Sequence, residues 1–152
     1  MAAMSLPRQC FYLLFLFFSM AFPSPAASPA HPFLDRERPI RWSRLTPDKL
    51  EPDIQEAMRR TRASVEEISR LRPEEMTYEN TFGALEKSND LLTEGMCKAY
   101  VLKSLCDSDS IRKAMDEATP LAVAFHSSLT KNQSLWNTLK TAHARLGDAV
   151  AD

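Results

Sequence analysis

Apolar residues recur at steps of three or four along most of the chain after residue 45, which is the period of an amphipathic helix. The first predicted helix begins near Thr46-Pro47, because a Thr N-cap followed by Pro at the first helical position marks a helix start. Arg72-Pro73 is expected to end it, since a residue before Pro avoids helical geometry. Pro52 is expected to separate a short first turn from the main helix. The apolar stripe consists of Leu50, Ile54, Met58, Thr61, Val65 and Ile68.

A second helix is predicted from near Thr77 to Leu105, with Thr77 and Asn80 in a capping arrangement at its start. The polar run Asp107-Ser108-Asp109 is expected to end this helix and to cap the next one. The residues expected to be buried on the second helix are Phe82, Leu85, Leu92, Met96, Ala99 and either Leu102 or Leu105.

The third and fourth helices are predicted after this break. Pro120 lies inside the third and should kink it. Asn132 is expected to cap the fourth helix, and Gly147 to end it. The expected buried positions are Ile111, Met115, Ala118, Ala122, Phe125 and Leu129 on the third helix, and Leu135, Trp136, Leu139 and Leu146 on the fourth.

Four amphipathic helices with short connections predict an all-α fold, an antiparallel helical bundle of about four helices. The chain has only 3 glycines, which argues against a β-sandwich or barrel rich in tight turns. Residues 31–44, called the arm below, are predicted to be extended, and their Trp42 needs a packing partner. Trp42 and Trp136 either complete the core or leave apolar surface for a neighbour. The expected domains are 1–30, a leader and Pro/Ala/Ser linker, 31–146, the helical domain, and 147–152, a tail.

The leader carries Arg8, then an apolar run over residues 11–22, then small residues. This pattern is typical of a secretory signal peptide, and the run is shorter than the roughly 20 residues that a membrane-spanning helix needs. Cleavage is expected after Ala26 or Ala30. The chain is therefore predicted to be exported, to the periplasm or outside the cell. An organelle transit peptide, an uncut membrane anchor and a wrongly assigned start codon are the alternatives.

Composition and charge narrow the possible partners. Hydrophobic residues make up 44% and charged residues 26%, as in globular proteins, and the net charge is -1. A nearly neutral chain attracts neither nucleic acid nor anionic lipid, so both are disfavoured as partners. Cys10 lies in the leader. Cys97 and Cys106 are predicted to be buried thiols, because their separation on one helix is about 13 Å, too long for a disulfide.

No constellation for chemistry is found in the sequence. The three histidines, His31, His126 and His143, have no partner at the spacing of a His-Glu-x-x-His zinc motif, so each is expected to be a half-buried or surface residue. Nucleophile elbows, phosphate-binding glycine loops and Cys-x-x-Cys pairs are also absent from the sequence. We assign no catalytic, cofactor-binding or metal-ligating residue. The carboxylate pairs are expected on solvated faces: Glu66-Glu67, Glu74-Glu75 and Asp107 with Asp109.

Four short segments follow one another in a recognisable order: 45–54, 77–86, 110–121 and 132–140. They contain the runs Leu-Thr-Pro-Asp-Lys-Leu-Glu-Pro-Asp-Ile, Thr-Tyr-Glu-Asn-Thr, Ser-Ile-Arg-Lys-Ala and Asn-Gln-Ser-Leu-Trp-Asn-Thr-Leu-Lys. In this order they resemble the N-terminal region of the zinc metallopeptidase family of oligopeptidase A, thimet oligopeptidase and peptidyl-dipeptidase. The resemblance covers about Phe33 to Thr141.

The resemblance implies that these helices belong to a longer, largely helical enzyme that cleaves short peptides with zinc held in a channel between two lobes. The zinc ligands of that family lie much further along its chain. This sequence is therefore expected to be a truncated or frameshifted reading frame or a fragment, inactive alone and without a cofactor of its own. Its expected partners are short peptides or a missing catalytic lobe, with no integral membrane span once the leader is removed. The alternatives are a stand-alone secreted helical module that binds peptides or proteins, and a membrane-anchored structural protein.

Overall fold

The computed structural model describes residues 30–147. The leader assigned to residues 1–29 and the last five residues of the tail lie outside the described part. The all-α bundle predicted from the sequence is confirmed: the described residues form four long helices and no β-strand. These are α1 (Pro47–Ser69), α2 (Ala84–Leu105), α3 (Asp109–Thr130) and α4 (Gln133–Leu146), with short 3-10 turns at Pro32–Leu34, Trp42–Arg44 and Pro73–Glu75 and a π turn at Glu79–Gly83.

Helix α1 is central, because it contacts α2, α3 and α4. Every residue of its predicted apolar stripe is buried, as this position requires. The expected break at Pro52 is wrong: α1 runs without interruption from residue 47 to 69. Pro52 is exposed near the beginning of the helix, where it removes one backbone hydrogen bond but disturbs none of the buried packing.

Helix α2 has a narrower buried face than predicted. Leu92 and Ala99 are buried, whereas Phe82, Leu85, Met96 and Leu102 are half-buried. Of the two alternatives at its end, Leu105 is 80% exposed, so Leu102 is the residue that faces the bundle. The predicted cap before α2 is confirmed. The Thr77 amide donates to Oδ1 of Asn80 over 2.8 Å, and the Asn80 amide donates back to Oγ1 of Thr77 over 3.2 Å.

Helices α3 and α4 follow the predicted pattern closely. Ile111, Met115, Ala118 and Phe125 are buried, and α3 continues through the exposed Pro120. Whether α3 bends there stays a prediction. On α4, Leu135 is buried and Leu139 and Leu146 are half-buried, but Trp136 is 55% exposed. Gly147 follows α4 with a φ of 54° and a ψ of -146°, a positive-φ conformation that glycine adopts more readily than other residues.

The cap of α4 provides a direct test of local stability. Asn132 accepts a hydrogen bond from the Leu135 amide over 3.0 Å. Replacing Asn132 by alanine is expected to lower the free energy of unfolding by about 1 kcal/mol, measured by urea denaturation. Ser108→Ala is the matched control, because Ser108 is the N-cap of α3 but its side chain makes no capping bond. Equal losses for the two variants would contradict the assignment of the Asn132 cap.

Two further predictions are wrong, one about the arm and one about the cysteines. The arm is not extended throughout, and its anchor is Phe33, which is fully buried, whereas Trp42 is 41% exposed. Cys97 and Cys106 are free thiols as expected, but both are exposed rather than buried. Cys97 lies on the side of α2 that faces away from α1, and Cys106 follows the last residue of the helix.

Candidate functional site

An open apolar cleft lies between α2, the end of α3 and α4. Its volume is about 600 Å³, and no residue of α1 lines it. The apolar lining consists of Leu85, Leu129, Leu135, Trp136 and Leu139. Trp136 was expected on the buried face of α4, but it lies in this cleft instead. The exposed tryptophan therefore favours the second of the two interpretations considered for the tryptophans, apolar surface left for a neighbour.

Polar groups are few in the cleft. Oδ1 of Asn89 is buried there and has no hydrogen-bond partner among residues 30–147. A buried carbonyl oxygen without a donor costs roughly 1–3 kcal/mol, so Asn89 gains from any N–H group brought into the cleft. Two acidic residues of α2, Glu86 and Asp90, lie along the same rim, and His126 of α3 lies opposite them.

A second site surrounds residues 31–35, the part of the arm that we call the strap. Asp53 of α1 is fully buried and turns both carboxylate oxygens to the strap. Its Oδ2 accepts the Phe33 amide over 2.7 Å, and its Oδ1 lies 2.9 Å from Nδ1 of His31. Burial raises the pKa of Asp53, and this effect exceeds the lowering of the pKa by the hydrogen bonds from Phe33 and His31.

Lys98 of α2 holds the strap from the other side. The residue is only 6% exposed, and its ammonium group donates to the carbonyl oxygens of Phe33, over 2.9 Å, and Asp35, over 2.5 Å. Burial lowers the pKa of Lys98, and the nearby Glu94 and Asp35 partly oppose this change. Both polar groups of the Phe33 backbone are thus bound by buried, oppositely charged side chains of two different helices.

Gly95 makes room for the strap on α2. A Cβ atom at this position would lie 3.3 Å from Cδ2 of Leu34, 3.4 Å from Cδ1 of Ile54 and 3.8 Å from the Phe33 carbonyl oxygen. A glycine in a helix interior costs roughly 1 kcal/mol relative to alanine. Here the missing side chain lets the strap approach the helix backbone.

The histidines and carboxylate pairs lie as their sequence context predicted. His126 and His143 are exposed, and the His31 side chain is 34% exposed beside Asp53. All members of the three carboxylate pairs are exposed, and several form surface ion pairs with Arg70, Arg72 or Arg112. Among residues 30–147, no group of three or more His, Cys, Asp or Glu side chains is placed to hold a metal ion.

Asp53 and Lys98 are the residues of this second site that the sequence analysis missed. A signal for Asp53 was present, because positions 50, 53, 54, 57 and 58 share one helical face and only residue 53 among them is charged. Lys98 likewise lies beside Ala99 and three positions after Gly95, both of which are buried. A charged residue at a core position indicates a buried partner, in this case the strap.

None of the helices in the described part of the chain combines the length and apolarity needed to cross a membrane. Comparison of the chain with protein-family models, with curated proteins and with solved structures finds no match.

Proposed function

We propose that residues 31–146 form the N-terminal helical portion of a zinc-dependent oligopeptidase, exported by the leader. In this proposal the helices help to restrict entry to short peptides, and the zinc ligands belong to another segment. The observation that supports it best is the position of the four resembling segments. Segments 45–54, 110–121 and 132–140 each contain or adjoin the first turn of α1, α3 or α4, and segment 77–86 leads into α2.

Helix starts are positions where sequence is locally constrained, because capping residues must satisfy the free amides of the first turn. The resembling segments contain these caps: Asn80 before α2 and Asn132 before α4. The four segments also follow one another in the order of the four helices. This is the kind of agreement expected if the chain shares the helical plan of the family it resembles.

The proposal is tested first on the purified chain. It is expected to show no zinc-dependent cleavage of short internally quenched peptides, with and without added zinc. Robust cleavage that a chelator abolishes would overturn it. The second test is the coding sequence downstream, in all frames. A His-Glu-x-x-His motif in a helical context would support the proposal, and an unrelated downstream sequence would favour the next candidate.

A second candidate function, a free-standing module that binds peptides, is favoured by the cleft. Its apolar lining, the Asn89 oxygen that has no partner among the described residues, and the acidic Glu86 on its rim suit a short apolar peptide that carries positive charge. In a Trp42→Phe variant, Trp136 emission should change saturably when such a peptide is added. An acidic version of the same peptide is the control. No saturable change with the basic peptide would exclude this function.

A further inference from the structure

The groove between α1 and α2 that holds the strap has the features of a peptide-recognition site. Phe33 fills an apolar pocket completely, and Leu34 is 7% exposed beside it. The backbone between them is bound by the carboxylate of Asp53 and the ammonium of Lys98. A carboxylate and an ammonium group placed in this way recognise the main chain of a peptide, and the apolar pocket around Phe33 selects an aromatic side chain.

Buried charges are costly unless they are hydrogen bonded, so Asp53 and Lys98 require the strap or a chain like it. No hydrogen bond or ion pair joins Asp53 to Lys98 among the described residues, so neither replaces the strap as a partner for the other. An uncharged, well-packed groove would hold a permanent N-terminal segment at lower cost. Two buried charges, each directed at the same backbone unit, fit an exchangeable ligand better.

The segment that follows the strap adds little to its attachment. Residues 36–39, which follow it, are exposed. Arg36 is held there only by half-exposed ion pairs to Asp90, at 3.5 Å, and Glu94, at 3.1 Å. Such pairs contribute at most about 1 kcal/mol each. Helices α1 and α2 contact one another directly, so their packing does not depend entirely on the strap.

We propose that the groove formed by Asp53, Gly95 and Lys98 is a recognition site for a short peptide segment with a central aromatic residue, and that the strap is its tethered, displaceable occupant. The proposal does not rest on the oligopeptidase assignment. It concerns the α1–α2 side of the bundle, whereas the apolar cleft lies between α2, α3 and α4.

The test uses the full chain with Phe33→Ala and Leu34→Ala together, which removes the anchors of the strap and leaves the groove intact. The probe is a labelled peptide with the sequence of residues 31–36, His-Pro-Phe-Leu-Asp-Arg, followed by fluorescence anisotropy. The double variant should bind it at least tenfold more tightly than the wild-type chain, in which the groove is occupied. Replacing Phe by Ala in the peptide, or adding Lys98→Met to the protein, should weaken binding at least tenfold.

A double variant that keeps its helical circular dichroism but binds no better than wild type would overturn the proposal. If the double variant does not fold, amide hydrogen exchange on the wild-type chain decides. The Phe33 amide, bonded to Asp53, should exchange through a local opening and faster than the buried amides of Ile54 and Val65 in α1. If the Phe33 amide exchanges only as slowly as those core amides, the strap does not leave the groove, and the proposal that it is displaceable is refuted.

Discussion

Replacing Phe33 by alanine is expected to lower the free energy of unfolding by roughly 3–5 kcal/mol, the largest loss for any single truncation in the arm. Phe33 is fully exposed to solvent in an unfolded chain but has no exposed surface in the folded protein. The substitution therefore removes a large buried apolar area and leaves a cavity in the core cluster that also contains Leu34, Leu50 and Ile54. Urea denaturation followed by circular dichroism measures the loss.

The matched control is Trp42→Ala, an aromatic residue of the same arm that is 41% exposed. Its truncation should cost about 1 kcal/mol or less, since partly exposed side chains lose little packing. If the two substitutions cost the same, Phe33 is not the anchor of the arm. A loss for Phe33→Ala that is not increased by adding Leu34→Ala would indicate that the strap leaves as one unit.

Removing the Asp53 carboxylate should cost about 3 kcal/mol in an Asp53→Ala variant, because the Phe33 amide and the His31 ring lose a buried acceptor. Asp53→Asn should cost only about 1–2 kcal/mol, since the amide oxygen can still accept the Phe33 amide. Asp48→Ala, at an exposed Asp of the same helix, is the control and should change stability much less. A ranking in which Asp48→Ala costs as much as Asp53→Ala would contradict the assigned role.

The pH dependence of the Asp53 effect has a definite sign. Burial raises the pKa of Asp53 above its ordinary value of 3.8. At a pH between 3.8 and the raised pKa, the folded protein therefore keeps a proton on Asp53 that the unfolded chain has released. Within that window the contribution of Asp53 to stability falls as pH rises. Wild type should therefore gain stability relative to Asp53→Asn as pH is lowered through the window to 3.8. The opposite slope would show that His31 and Lys49, which also face this carboxylate, outweigh burial.

The helices could be predicted from the sequence because their signals are local. Hydrogen bonds from nearby backbone amides to Asn80 and Asn132 form at the starts before α2 and α4, and Pro47 favours helical geometry at the start of α1. The apolar stripe of α1 also has one strong period. The expected break at Pro52 failed for a physical reason. The sequence pattern shows only the local cost of a proline, which is the loss of one backbone hydrogen bond. The packing of α1 against three other helices stabilises the continuous helix by more than this loss.

The sites could not be predicted from the sequence in the same way, because they depend on contacts between distant segments. Nothing in the arm alone distinguishes Phe33 from Trp42, and only the pocket between α1 and α2 makes Phe33 the buried one. The apolar residue pattern of α4 placed Trp136 in the core. Helix α4 is oriented on α1 by Leu135, Thr138 and Ala142, and this turns Trp136 toward the cleft. The prediction that Cys97 and Cys106 are buried failed for the same reason, because the sequence does not show which side of α2 has a neighbour.

The hydrogen bond from Lys98 to Phe33 joins residues that are 65 positions apart. Phe33 is also bonded to Asp53, which is only 20 positions away, so the strap joins α1 to α2. The entropic cost of closing a loop rises only slowly with its length, so these separations do not fix whether the strap or the helices form first. A contact that forms only after the folding barrier leaves the folding rate unchanged and slows the unfolding of the finished protein. The strap acts as a kinetic lock on the bundle if its contacts form after that barrier.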